Sequence, residues 1–436
     1  MPKVIGIRRE DKSIWERRCP LIPEDIGQLI ATHNIRCLVQ PSDIRIFKAE
    51  EFLQAGAVME EDLGQADIIF GVKEVPKEKL CPGKTYIFFA HVIKGQKYNM
   101  PMLQRLMDLK CSLIDYEKIV DASNKRLIFF GRHAGLAGMI DSLHAFGLRF
   151  SRLGQDTPFS RIKIAHDYDS LNDAKKAVAA VADLIRADGI PAAFRPFVVG
   201  VTGYGNVSRG AQEILDILPI VEIQPDELPK VAAYPELYKH KVVKVVFKEE
   251  HMVKPRQIND RFSLPDYFNH PEKYESDFDK YLPYLSMLIN CIYWDSRYPR
   301  LVTKAKLKEI YAGPNTPKLQ VIGDISCDID GSIEATAKAT EPGEPNFVYE
   351  PQSGRIIDGV SGNGPVIMAV DILPSEISRD ASYDFSHVLK NFVPHLLQSD
   401  FSQDFEHCNL IPELKGAMIL YKGALTPNYQ YIAQHL

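Results

Sequence analysis

From Val4 to Phe130, short apolar runs alternate with stretches in which apolar residues recur at helical spacing. Val4–Ile7, Cys37–Gln40, Ile68–Val72, Tyr86–Phe89, Ser112–Asp115 and Leu127–Phe130 are predicted strands. Pro23–Ile30 and Met100–Leu109 are predicted helices, the first opened by a proline whose fixed φ suits a helix start. This alternation predicts an α/β layer architecture. Gly131 to Gly138 is a run of small residues leading into a helix that continues to about Phe150. So little side chain predicts a helix pressed against another backbone, at a domain junction.

A second α/β block follows. Asp173–Ala187 and Gln212–Leu218 are predicted helices; Phe197–Thr202, Ile220–Ile223, Met287–Ile292 and Gln320–Ile325 are predicted strands. Residues 229–283 are rich in charge, tyrosine and proline and too long for a simple loop, so they should carry a small structure of their own or an interface. After Gly359 to Pro365 a helix, Val366–Leu373, should begin a tail that packs back on the first block.

Composition narrows the class. With 436 residues, 45% hydrophobic and 25% charged, the chain reads as an ordinary globular protein of two or three domains. A net charge of -5 and the lack of a long basic run argue against non-specific nucleic-acid binding. No stretch approaches the ~18 consecutive apolar residues of a membrane helix, and no leader precedes the first strand. The seven cysteines form no C-x-x-C pair and the twelve histidines no H-E-x-x-H. A cytoplasmic enzyme with free thiols and no metal is expected.

Two constellations carry chemistry. Strand Phe197–Thr202 runs into Gly203-Tyr204-Gly205-Asn206-Val207-Ser208 and then a helix. The first glycine permits the tight turn, and the second lets backbone amides approach a pyrophosphate at the helix N-terminus. Ser208 stands where a third glycine is usual, with Gly210 two residues on. Glu222 closes the next predicted strand, about where an acid would hold the ribose 2′-OH of NAD, while an NADP site wants a cation. Arg209, just past the loop, could be that cation or simply a solvated first-turn arginine. The second constellation gathers at the ends of the first-block strands: Lys73 and Glu74, His91 with Lys94 beyond, Glu117, and Arg126. Open α/β sheets bind ligands at the carboxyl ends of their strands, and carboxylates beside a lysine tune it as a proton donor. Each residue alone also fits a solvated turn or a hydrogen-bonded loop histidine. Spacing by itself stops at an α/β dehydrogenase.

Longer runs go further. Arg8-Arg9-Glu10 with Trp15-Glu16-Arg17-Arg18, Pro20 and Pro23; Gly71-Val72-Lys73-Glu74; Phe89-Ala90-His91 with Lys94; Ile114 to Lys118; Ala134 to Met139; the glycine loop; Leu288 to Trp294; and Pro299-Arg300-Leu301 occur in one order along the chain. In these runs the chain resembles the lysine-ketoglutarate reductase half of α-aminoadipic semialdehyde synthase. It is more distantly similar to the fungal lysine-forming saccharopine dehydrogenases, and further out to alanine dehydrogenase and the transhydrogenase N-terminal domains. The resemblance implies an α/β fold of two Rossmann-like domains with a cleft between them. Residues 1–131 plus 367–436 would form the substrate domain, and 132–366 the dinucleotide domain with an insertion at about 229–283. It implies a free-standing reductase or one half of a bifunctional chain, a homo-oligomer being compatible with either.

The resemblance also implies reductive condensation of lysine and 2-oxoglutarate to saccharopine. The cofactor would be NADPH, with NADH the alternative. Lys73 and His91 would be the acid–base pair, tuned by Glu74 and Glu117. Arg18 and Arg126 would bind substrate carboxylates, a task that suits the planar guanidinium. Asp324 would face nicotinamide or the substrate amine, or else only cap a helix. Gly203, Tyr204, Gly205, Asn206, Val207, Arg209, Glu222, Cys291 and Ile292 would line the cofactor, with Cys291 and Cys327 as packing thiols rather than nucleophiles. The competing expectations are an alanine-type amino-acid dehydrogenase and a catalytically silent homologue.

Overall fold

The computed structural model describes residues 3–436, which form two compact units. The first comprises everything described up to Phe130 together with Ser378–Leu436; the second is Gly131–Ile377.

The first unit is built on an eight-stranded sheet. From one edge its strands run Ala424–Leu425, Met418–Tyr421, Ser112–Asp115, Thr85–Phe88, Ile68–Phe70, Val4–Ile7, Arg36–Val39 and Val58–Met59. The six strands from the N-terminal part pair in parallel, and the two C-terminal ones add antiparallel at the edge. Numbered along the chain, the parallel strands lie 3-2-1-4-5-6, which is the doubly wound order. Their topological switch point falls between Val4–Ile7 and Ile68–Phe70. The central strands are buried on both faces and correspondingly apolar. The predicted strand Leu127–Phe130 does not form. Only Arg126 makes a bridge, with Val120, and Phe130 instead stacks on Phe385, ring centroids 4.5 Å apart.

The second unit also has eight strands, ordered Arg355–Asp358, Asn346–Glu350, Val366–Met368, Val321–Asp324, Met287–Asn290, Phe197–Thr202, Val242–Phe247 and Ile220–Ile223. Six are parallel, and an antiparallel hairpin closes one edge. Here the parallel strands lie 2-3-1-4-5-6. Two expectations are corrected. Val366–Leu373 is not a helix: Val366–Met368 is a fully buried strand of this sheet, so the chain leaves the second unit only after Ile377. A three-residue apolar run looks the same in a buried strand or a buried helix. Residues 229–283 are likewise not wholly an insertion. They do hold a small separate sheet, Val253–Pro255 against Tyr274–Ser276. But they also supply Val242–Phe247, which pairs along its whole length with Phe197–Thr202.

The glycine run near 131–138 does what its composition predicts. Helix Gly131–Arg152 lies against helix Asn206–Leu215 so closely that a Cβ on Gly135 would sit 1.9 Å from the Val207 carbonyl oxygen. One on Gly210 would sit 1.9 Å from that of Arg132. Gly210 therefore serves the close packing usually left to a third loop glycine, while Ser208 is buried and accepts a hydrogen bond from Gln212.

Candidate active site and nucleotide loop

In the first unit, the chain leaving Val4–Ile7 carries Arg8, Glu10 and Lys12, and the chain leaving Ile68–Phe70 carries Lys73 and Glu74. Both segments flank the switch point. Glu10 is buried, and its carboxylate accepts hydrogen bonds from the backbone amides of Val72 (2.8 Å) and Lys73 (2.9 Å). That pair of bonds fixes the turn from which the half-buried Lys73 projects. Burial raises the Glu10 pKa, and the nearby Arg8 guanidinium opposes the shift.

Glu74 is the hub. Only 8% of it is exposed. Its carboxylate meets Lys12 Nζ at 2.8 Å, His91 Nδ1 at 2.8 Å and Asn99 Nδ2 at 3.1 Å. Burial alone would raise its pKa. The bonds from His91 and Lys12 outweigh burial and hold the carboxyl well below the usual carboxylate range. His91 sits in the left-handed region at φ 48°, uncommon for a residue with a Cβ. Asn99 secures that turn by donating to the Ala90 (3.0 Å) and His91 (3.2 Å) carbonyls. The imidazole stacks on Phe89, so both its position and the nitrogen facing Glu74 are set.

Asp115 ends the next strand. Fully buried, it accepts from the amides of Ala90 and Glu117. Burial, with the Glu117 charge adding to it, lifts its pKa to about 6. Glu117 accepts from Arg126 Nη2 at 2.5 Å. Arg18 is buried and forked onto Glu16 (2.7 and 2.5 Å) with its guanidinium 4.2 Å from the Phe130 ring. Beside Lys12 opens a pocket of about 460 Å³ whose walls include Arg9, Asp11, Ser13 and Ile44. Glu74 and His91 therefore meet, with Lys73 beside them in the chain and its amide held by Glu10, while Glu117 with Arg126, and Arg18 with Glu16, form separate ion pairs. Glu10, Lys12, Asn99 and Asp115 belong to the same constellation although sequence reasoning did not single them out. Asp115 ends a predicted strand level with its neighbours, the one signal that could have marked it.

In the second unit the switch point lies between Phe197–Thr202 and Met287–Asn290. Gly203 follows the first of these at φ 79°, where a side chain would be strained, and its Cβ would press on Ile292 Cγ2 at 3.2 Å. Nothing lies within 4 Å of a Cβ built on Gly205, the N-cap of helix Asn206–Leu215. Cys291 and Ile292 thus border the loop, and the space beside Gly205, at the start of the helix, is clear. This fits a dinucleotide pyrophosphate. Burial pushes the Cys291 and Cys327 thiols well up, away from nucleophilic thiolate. Beneath the loop, Thr202 Oγ1 bonds Asn290, which donates to Asp324 (2.8 Å), which also accepts from Thr336 (2.6 Å). Asp324 is 1% exposed; burial raises its pKa to about 6 against those two bonds. Through Asn290 the network ties together three strand ends, Thr202, Asn290 and Asp324. Glu222 is ion-paired with Lys244 at 2.8 Å. Arg209 is exposed in the first helical turn.

Residues 6–137 match the profile of the family described as alanine dehydrogenase/PNT, N-terminal domain. Mitochondrial alpha-aminoadipic semialdehyde synthase of Mus musculus is 37% identical over 98% of this chain. The synthase of Arabidopsis thaliana is likewise 37% identical over 98%. The likeness to alpha-aminoadipic semialdehyde synthase is therefore real and spans the chain. The chain covers about half the length of these relatives, 47% and 41% respectively. Saccharopine dehydrogenase [NAD(+), L-lysine-forming] of Neurospora crassa is 28% identical over 91% of both chains. Among solved structures, L-alanine dehydrogenase superposes with a TM-score of 0.63 at 15% identity over 99% of both chains. A transhydrogenase from Sinorhizobium meliloti gives 0.57 at 15% over 97% of this chain and 100% of its own. These two show that the fold is that of the two-domain Rossmann-like proteins. No helix among the described residues is long and apolar enough to cross a membrane. No cluster among them could hold a metal ion.

Proposed function

We propose that this synthase relative is a lysine–2-oxoglutarate reductase, condensing L-lysine with 2-oxoglutarate to saccharopine at the expense of NADPH. The observation that carries the reading is the Glu74 hub. One buried carboxylate aligns an imidazole and an ammonium, beside a lysine whose own amide is pinned, at a switch point where ligands bind. The names of the relatives supply the substrate class.

The reaction needs two proton movements. The substrate ε-ammonium must lose a proton before its nitrogen attacks the keto carbon of 2-oxoglutarate. The resulting carbinolamine must then gain a proton on oxygen and leave water and an imine. With Nδ1 of His91 committed to Glu74, Nε2 is the atom that exchanges a proton with substrate, and the Lys73 amine serves the other transfer. Glu74 orients and compensates charge; it does not carry the proton. A nicotinamide nucleotide, held by the Gly203–Gly205 loop, would supply the hydride for reduction. The guanidiniums of Arg126 and Arg18 keep donors beyond those given to Glu117 and Glu16, and these would take substrate carboxylates. The pocket beside Lys12 presents both Arg9 and Asp11, the two charges that a zwitterionic amino-acid end requires.

NADPH oxidation with lysine and 2-oxoglutarate, each omitted in turn, tests the reading. Oxidation should require both. If ammonia replaces lysine with equal efficiency, the chain is an alanine-type dehydrogenase instead.

A further inference from the structure

In a doubly wound sheet, the strand beside the glycine-loop strand ends next to the adenosine ribose, and its last residues read the 2′ position. In this chain that neighbour is Val242–Phe247, not Ile220–Ile223. Thr202 pairs with Phe247, and the Gly203 amide donates to the Phe247 carbonyl at 2.9 Å. The residues level with the loop are therefore Lys248 and Glu249. Glu222 lies elsewhere. It is in register with Lys244, which is in register with Val199. That places it three residues short of Thr202, about 10 Å along the strand at ~3.3 Å per residue. It is also two strands to the side, a further ~10 Å at 4.7–4.9 Å per strand. Its carboxylate is spent on Lys244, itself buried and shared with Asp216.

Lys248 is exposed at the loop. The next residue, Glu249, accepts a hydrogen bond from the hydroxyl of Tyr204, the residue between the two loop glycines. That contact shows how near the end of Val242–Phe247 comes to the nucleotide loop, and it engages the first of the two acids, Glu249 and Glu250, that follow Lys248. Resting on the reading that the second unit binds a nicotinamide nucleotide, we propose that Lys248 is the residue that recognises a 2′-phosphate. Glu222 then plays no part in cofactor choice. The acid that argued against NADPH in the sequence is removed from the question by strand order, and a cation stands in its place.

The test is calorimetric binding of 2′,5′-ADP and of 5′-AMP to the full chain, so no turnover is needed. The wild type should bind 2′,5′-ADP more tightly. Lys248→Ala should weaken 2′,5′-ADP at least about tenfold, as expected for loss of a charge-assisted bond, while shifting 5′-AMP less than about twofold. Lys248→Arg should restore the preference. Glu222→Ala should leave both affinities within about twofold. A preference that survives Lys248→Ala, or that changes with Glu222→Ala or Arg209→Ala instead, overturns the assignment. If the wild type binds neither nucleotide, nor NADPH or NADH, the dinucleotide reading itself falls and takes this inference with it. If it binds them without regard to the 2′-phosphate, only this inference falls.

Discussion

Between Val4–Ile7 and Ile68–Phe70 the first unit sets charged side chains: Glu10 under the Lys73 turn, and Glu74 joined to Lys12 and His91. Between Phe197–Thr202 and Met287–Asn290 the second unit sets bare glycine backbone over an Asn290–Asp324–Thr336 network. The sheets are alike, with six parallel strands each. One crevice is lined by charged side chains that hold one another in place; the other is lined by main chain, with a left-handed Gly203 and clear space beside Gly205. A doubly wound sheet thus specifies where a ligand goes, and the residues at the crevice decide what happens there.

The comparison breaks first at the charged crevice. His91→Gln and Lys73→Met should each lower turnover by about 10²–10⁴-fold, the usual share of a general acid or base. Nucleotide affinity, measured by fluorescence titration, should hardly change. Comparable loss of nucleotide binding in these variants would mean that the two crevices do not divide the work.

The next effect belongs to the glycine crevice and its supporting helices. Gly135→Val forces a side chain into the Val207 carbonyl. It should cost about 1–3 kcal/mol of stability, as overpacking does, in denaturant titration. Nucleotide binding should weaken with it, because the displaced helix begins at the loop. A valine tolerated without loss would show that the two helices are not in the close contact described.

A smaller effect sharpens the contrast in how the units treat buried charge. In the first unit Glu74 is met by the Lys12 ammonium and the His91 ring. In the second, Asp141 and Glu376 are neighbouring carboxyls deep in the core, where burial favours the protonated form. Burial lifts Glu376 from its ordinary 4.5 to about 8 and Asp141 well above its usual value. Folded chain thus holds protons that unfolded chain releases, and stability should fall as pH rises from about 4.5 to about 8. Glu376→Gln should flatten that slope, on the order of 1 kcal/mol, in thermal melts across the range. A wild type whose stability climbs over the same interval would contradict the protonated pair.

Much of this was legible in the sequence, and what escaped is instructive. The glycine loop, the central strands and the Gly131-to-Gly138 helix follow from local steric rules that hold wherever the segment packs. That Glu74 and His91 would lie near each other was legible because each comes soon after the end of one of two strands, Ile68–Phe70 and Thr85–Phe88, that prove to be neighbours. Val366–Met368 was misread because a short apolar run carries no periodicity. The distance of Glu222 from the loop strand was not legible, because strand order is a tertiary choice: nothing in Ile220–Ile223 says that Val242–Phe247 will come between it and Phe197–Thr202. Lys12 and Asn99 reach Glu74 from 62 and 25 residues away, distances over which no local pattern could couple them.

The central claim is that hydride adds to an imine formed between the lysine nitrogen and the keto carbon of 2-oxoglutarate. NADPH deuterated at the transferable position, incubated with lysine and 2-oxoglutarate, tests it directly by mass spectrometry of the product. The account predicts saccharopine carrying one deuterium, on the carbon that was the keto carbon, in one-to-one ratio with cofactor oxidised. Deuterium recovered in glutamate, or cofactor consumed without lysine entering the product, would contradict it.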